Sequence, residues 1–257
     1  MKKISFVFFV SILFACNNSN NTSGTGGDTA QEPPAAQNDE KPAASSASGC
    51  AAFFWFKKGV VMQYEMSDGT GKYTDTTSTT IDDVHQDGAA LIADYTTTLR
   101  KGKMVKASYR CEGDKLYMDM KSMFSGFATQ RAGMEIEVTD AYISFPWNMK
   151  EGDNLDDAKF AITSKQNGKE FMKMTSTVKE RKVESRDNVS TPAGSWDCLK
   201  ITETRTTSTE MSGKQISSKD TKSVQWFAPQ AGLVKFELYD EAGKVLSRSQ
   251  LISLKTD

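Results

Sequence analysis

A single histidine and four cysteines are the side chains of this 257-residue sequence best suited to act as general base, nucleophile or metal ligand. His85 stands in Asp82-Asp83-Val84-His85-Gln86-Asp87-Gly88. A catalytic triad there would need a serine and an orienting acid converging on the imidazole from elsewhere. No Gly-x-Ser-x-Gly turn exists to supply the serine, so the expected state is an exposed turn histidine. The cysteines, at 16, 50, 111 and 198, form no Cys-x-x-Cys and have no paired histidines beside them, which leaves no zinc pattern. Asp153, Asp156 and Asp157 lack the spacing of a calcium loop and read as a polar loop. Nothing marks out a glycosidase pair of carboxylates. The sequence therefore predicts no enzyme, no metal and no cofactor.

Cys16 carries a different chemistry. Lys2 and Lys3 precede an apolar run over residues 4–15, far shorter than the roughly 20 residues a spanning helix needs. That is the pattern of a secretory signal. Its ending, Leu13-Phe14-Ala15-Cys16, resembles a bacterial lipobox, which implies removal of residues 1–15 and acylation of Cys16 by chains of the palmitate type. Each buried CH₂ contributes about 0.8 kcal/mol, so two or more chains hold a protein stably on a bilayer. The expected partner is thus the lipid bilayer through acylated Cys16. Asn17 replaces the Asp that retains many lipoproteins at the inner membrane, and no acidic run follows. By that analogy the address is the outer membrane, facing the periplasm.

The elements that would position any site begin well downstream. Residues 17–48 contain no Leu, Ile, Val, Met, Phe, Tyr or Trp, too little apolar surface to offset chain entropy. Residues 16–48 are therefore expected to be a lipidated, disordered tether with a root-mean-square reach of roughly 30 Å. Loss of the signal takes two lysines with it, leaving 30 basic against 33 acidic side chains and a net charge of −3. Such a balance argues against a nucleic-acid partner. The densest basic stretch, residues 179–186, is interleaved with Glu180 and Glu184 and reads as a solvated strand face.

Residues 49–257 fit one β-rich domain. Val60, Met62, Tyr64 and Met66 alternate onto one face, as do Leu91, Ala93, Tyr95, Thr97 and Leu99, and then Val105, Ala107, Tyr109 and Cys111. Turn signals separate the runs: Asp68-Gly69, Gln86-Asp87-Gly88, Glu112-Gly113-Asp114, Asn167-Gly168 and Ser212-Gly213. No credible βαβ unit occurs. The fold class is mainly all-β, an antiparallel meander curled into a barrel or half-barrel to manage its edges.

One stretch departs from this rhythm. From Asp119, a plausible N-cap, Met120, Met123, Phe124 and Phe127 recur at helical spacing and predict one short helix near residues 119–131. They would form either a soft lid over a ligand cavity or a plug closing one end of the β core. Once Cys16 is acylated, three cysteines remain in an oxidising compartment. Cys50 opens the domain and Cys111 ends a strand, whereas Cys198 lies within one. The expected disulfide is Cys50–Cys111, with Cys198 a small buried hydrophobe.

Several segments form a recognisable set: Thr191-Pro192-Ala193-Gly194-Ser195-Trp196 with Cys198, then Trp226-Phe227-Ala228-Pro229, Gly232-Leu233-Val234-Lys235, Tyr239-Asp240, and Cys111-Glu112-Gly113 with Tyr117-Met118-Asp119-Met120. In these the chain resembles the TapB-like group of exported bacterial proteins, whose function is unassigned. Leu199 and Gln230-Ala231 depart from the pattern. The resemblance implies a curved antiparallel β domain on an exported lipoprotein and supplies no catalytic residues. Two functions follow as expectations. In the first, the tethered domain binds an apolar ligand or an envelope partner. In the second, it is a structural or interaction lipoprotein with a solid core. A hydrolase with an unrecognised site comes third, and nothing in the sequence sets an oligomeric state.

Overall fold

The computed structural model describes residues 53–99, 102–121, 134–139 and 142–256, together with Gly49. A 3₁₀ turn, Phe54–Phe56, leads into β1 (Val61–Asp68), β2 (Tyr73–Asp87), β3 (Ala90–Thr98), β4 (Met104–Glu112) and β5 (Lys115–Asp119). Two short strands follow, β6 (Met134–Val138) and β7 (Tyr142–Pro146). The second half comprises β8 (Ala158–Gln166), β9 (Lys169–Thr191), β10 (Gly194–Met211), β11 (Lys214–Ala228), β12 (Gly232–Asp240) and β13 (Val245–Lys255).

Among the described residues, all thirteen strands belong to one sheet, ordered β6-β8-β9-β10-β11-β12-β13-β1-β2-β3-β4-β5-β7. Every neighbouring pair in that order is antiparallel, and within each run of sequence-adjacent strands short turns dictate it. The two meanders, β1 to β5 and β8 to β13, are joined where β1 pairs β13 from Val61↔Lys255 to Asp68↔Ser247. The ladder ends at β6 on one side and β7 on the other, so the sheet is open. It curls until β9 approaches β13 across the concave face. The architecture is a curled antiparallel half-barrel, as the alternation predicts.

Turn chemistry is where the sequence placed it. Asn167 and Gly168, at φ 51° and 73°, and Ser212 and Gly213, at 49° and 76°, make two-residue hairpin turns whose left-handed residues match the strand twist. At Asp68 one carboxylate oxygen accepts from Thr70 N (2.9 Å) and Lys72 N (3.1 Å), an Asx turn. Asp240 repeats it with Ala242 N and Lys244 N. Val105, Ala107, Tyr109 and Cys111 are all buried, as are Met62 and Met66.

One expectation needs revision. Residues 179–186 are not a uniformly solvated face, because Arg181 and Val183 are buried inside the curl. The cause is a bulge: Thr202 pairs with Lys182 but Thr204 with Lys179, so Glu180 and Arg181 together face Glu203, with Glu180 at φ 52°. The extra residue shifts the alternation by one and turns Arg181 inward. β6 and β7 lie in a stretch where the periodicity resolves no element. Of the expected helix, only its start is described. Met120 is buried, and Lys121 N donates to Asp119 Oδ1 (2.9 Å), the cap bond expected of Asp119. Met123, Phe124 and Phe127 lie outside the described residues.

Candidate functional site

The concave face is the place where a ligand would sit, and aromatic rings occupy much of it. Phe53-Phe54-Trp55-Phe56 folds as a turn just before β1, which drops Trp55 into the curl. There Trp55 stacks on Tyr109 of β4 at 4.4 Å and meets Phe227 of β11 edge-on at 5.6 Å. Phe227 stacks in turn on Phe145 of β7 at 5.6 Å, and Tyr109 stacks on Tyr95 at 4.4 Å. Strands from both halves of the sheet are thereby bridged by rings, each pair contributing about 0.5–1.5 kcal/mol beyond burial. Gly232 opens β12 at φ 76°, and a Cβ there would lie 2.3 Å from the Trp55 indole. Only glycine satisfies both constraints.

Burial pushes the phenols of Tyr64, Tyr95 and Tyr109 well above their ordinary value. They stay protonated at any physiological pH and act as hydrogen-bond groups. Tyr64 Oη donates to Leu233 O at 3.0 Å, tying β1 to β12 across the intervening β13.

Beside the rings lies a buried ionic cluster. Arg181 Nε donates to Glu203 Oε2 (3.3 Å), and Arg205 Nη2 donates to Glu203 Oε1 (3.2 Å). Arg181 Nη1 donates to two carbonyls, Ser144 O on β7 (3.0 Å) and Asp156 O before β8 (2.8 Å). Its guanidinium lies 4.7 Å above the Phe145 ring, a cation–π contact in a desolvated setting. Burial pulls the Arg181 pKa down, and Glu203 opposes that shift. The guanidinium nevertheless stays charged, its ordinary value being far above neutrality. β7 is the outermost strand at one edge, whereas β9 lies third from the other. Arg181 thus fastens the curl where no backbone ladder closes it. The loop before β8 reinforces the closure: Leu155 N donates to Arg181 O, and Val183 N to Asp153 O. Asp156 also accepts from Lys115 Nζ at 2.7 Å, which holds its carboxyl below the usual range.

The residues singled out from sequence are distributed elsewhere. His85 lies near the end of β2 rather than in the turn, half-exposed, with Nδ1 3.8 Å from Asp83 Oδ2 and 3.7 Å from Asp94 Oδ2. Both distances exceed hydrogen-bond reach. Asp83 is engaged by Lys58 Nζ at 2.8 Å, which lowers its pKa. A shallow, open depression of ≈ 390 Å³ beside them is lined by Asp82, Asp83, Asp94, Tyr95, Lys106 and Ser108, among others. Among the described residues, no group of three or more His, Cys, Asp or Glu side chains is placed to hold a metal ion. Cys111 is disulfide-bonded. Cys198 is a free, buried thiol pushed up to about 12 by burial, which makes it unreactive. Cys16 and Cys50 lie outside the described residues. Neither Trp55 nor the Arg181–Glu203 pair was identified from sequence. The run of four aromatic residues at 53–56 was the available signal for the first; for the second there was none, because the bulge that turns Arg181 inward is a tertiary feature.

Two solved structures share this architecture. A "putative lipoprotein" from Parabacteroides distasonis is 22% identical with a TM-score of 0.61, covering 79% of this chain and 99% of that one. A "putative exported protein with YmcC-like fold" from Bacteroides fragilis is 20% identical with a TM-score of 0.58 and the same coverage. At these identities the likeness is one of fold. None of the curated proteins matches the chain. The family match spans residues 57–251, from the residues just before β1 into β13, and on that extent the chain belongs to the DUF3108-like family.

Proposed function

We propose that this is a membrane-tethered interaction domain of the bacterial envelope that works through its surface instead of enclosing a ligand. The observation that carries the reading is the filled interior, where Trp55, Tyr109, Phe227 and Phe145 occupy the space a carrier would keep open. In this reading Cys16 is acylated and the domain faces the periplasm from the outer membrane. The resemblance to the TapB-like group supports an exported address, and no catalytic residue is assigned. Native mass spectrometry of the protein gently extracted from membranes tests both halves. Expected are a chain beginning at Cys16 with covalent acyl mass and no non-covalently retained lipid. One apolar molecule per chain would overturn the filled-interior reading; an unmodified Cys16 would overturn the anchor.

The same reading pairs Cys111 with Cys50. That bond would close a loop of about 60 residues, which the chain-entropy model values at roughly 4 kcal/mol. Reductant should lower the denaturation midpoint accordingly. Non-reducing peptide mapping should join the Cys50 and Cys111 peptides and leave Cys198 alkylatable only after unfolding. A linked Cys198 peptide would contradict the assignment.

A further inference from the structure

The pairing of β11 with β12 stops at Thr221↔Asp240, but β10 and β11 continue together to Met211↔Lys214. The hairpin therefore extends seven residues past its neighbour, about 20 Å at strand rise. Its tip lies against that of the β8–β9 hairpin, with Ser212 N donating to Phe171 O at 3.0 Å. Three apolar side chains are presented there to solvent, Phe171 (40% exposed), Met211 (38%) and Ile216 (57%). Across residues 166–174 and 208–219 there are four lysines against two glutamates, a local positive excess on a chain whose mature charge is negative. Both turns are tight two-residue turns, so the apolar side chains stand at the tip with no longer loop beyond them.

We propose that the paired tips of the β8–β9 and β10–β11 hairpins dock on an anionic lipid surface. Phe171, Met211 and Ile216 enter the headgroup region, while Lys169, Lys214 and Lys219 reach the phosphates. Apolar side chains next to lysines that can snorkel are what an interfacial site requires, and the charge excess complements anionic headgroups. The proposal rests on the tethered-lipoprotein reading for its biological setting. A tether of roughly 30 Å reach keeps the tip at high effective concentration beside the bilayer, so a weak contact suffices. The contact would hold the domain in one orientation on the membrane.

The test uses the mature chain with Cys16→Ser, produced without its signal, so that tip binding is read independently of the acyl anchor. Gln215→Cys carries an environment-sensitive fluorophore; Cys198 is buried and does not compete for the label. With vesicles of phosphatidylethanolamine and phosphatidylglycerol at 3:1, a blue-shifted spectrum quenched by headgroup-proximal nitroxide lipid is expected. Binding to phosphatidylcholine vesicles should be at least 3-fold weaker. The triple change Phe171→Ser, Met211→Ser, Ile216→Ser should weaken binding at least 10-fold at unchanged thermal midpoint. An unshifted spectrum up to millimolar lipid, or a triple variant that binds as well as the parent, would overturn the proposal. So would sedimentation showing that the tip instead pairs two copies of this chain. Failure of Cys16 acylation in cells would remove the setting but leave this vesicle result intact.

Discussion

Replacing Arg181 with alanine is expected to lower stability by about 3–5 kcal/mol, because a buried pair is broken and Glu203 keeps only Arg205 as a cationic partner. Four interactions go at once: the bond to Glu203, the bonds to the Ser144 and Asp156 carbonyls, and the stacking over Phe145. In a domain of this size the midpoint of thermal unfolding should fall by on the order of 10 °C. Arg181→Met combined with Glu203→Gln should recover part of the loss, since removing both charges spares the desolvation of either. Lys182→Ala, one residue away on the exposed side, should stay within about 0.5 kcal/mol of the parent. Urea denaturation of the four proteins checks the ordering. An Arg181→Ala variant as stable as Lys182→Ala would mean that Arg181 does not close the curl.

Trp55→Ala should cost a similar amount, about 3–5 kcal/mol, as loss of a buried aromatic leaves a cavity that its neighbours fill only in part. The indole contacts Tyr109, Phe227 and the backbone at Gly232, which lie on three different strands. Relaxation at one of them would pull on the others. A cost below about 1 kcal/mol would mean that the interior adapts, and the argument for a filled core would fail with it.

What could be read from the sequence was local. The alternation ending at Cys111 and the turns at Asn167-Gly168 and Ser212-Gly213 are each decided within a few residues, and they placed β4 and both long hairpins. The charged stretch at 179–186 was misread because its alternation changes phase at Glu180, where a bulge answers to the geometry of β10 and not to any residue preference nearby. β6 and β7 are five residues each, too short for period two to stand out from their surroundings. Trp55 lies in a turn outside every strand, so periodicity could not assign it to the core. Contacts across the curl, between residues such as Ser144 and Arg181, are set by topology, which no short window contains.

The central claim, that the concave face is filled and holds no apolar ligand, is tested most directly by titrating the folded domain with a fluorescent apolar probe. The parent protein is predicted to show no saturable binding, whereas Trp55→Ala, once its circular dichroism shows it folded, should gain one site per chain. Saturable one-to-one binding by the parent, displaced by a fatty acid, would contradict the account and make the domain a carrier.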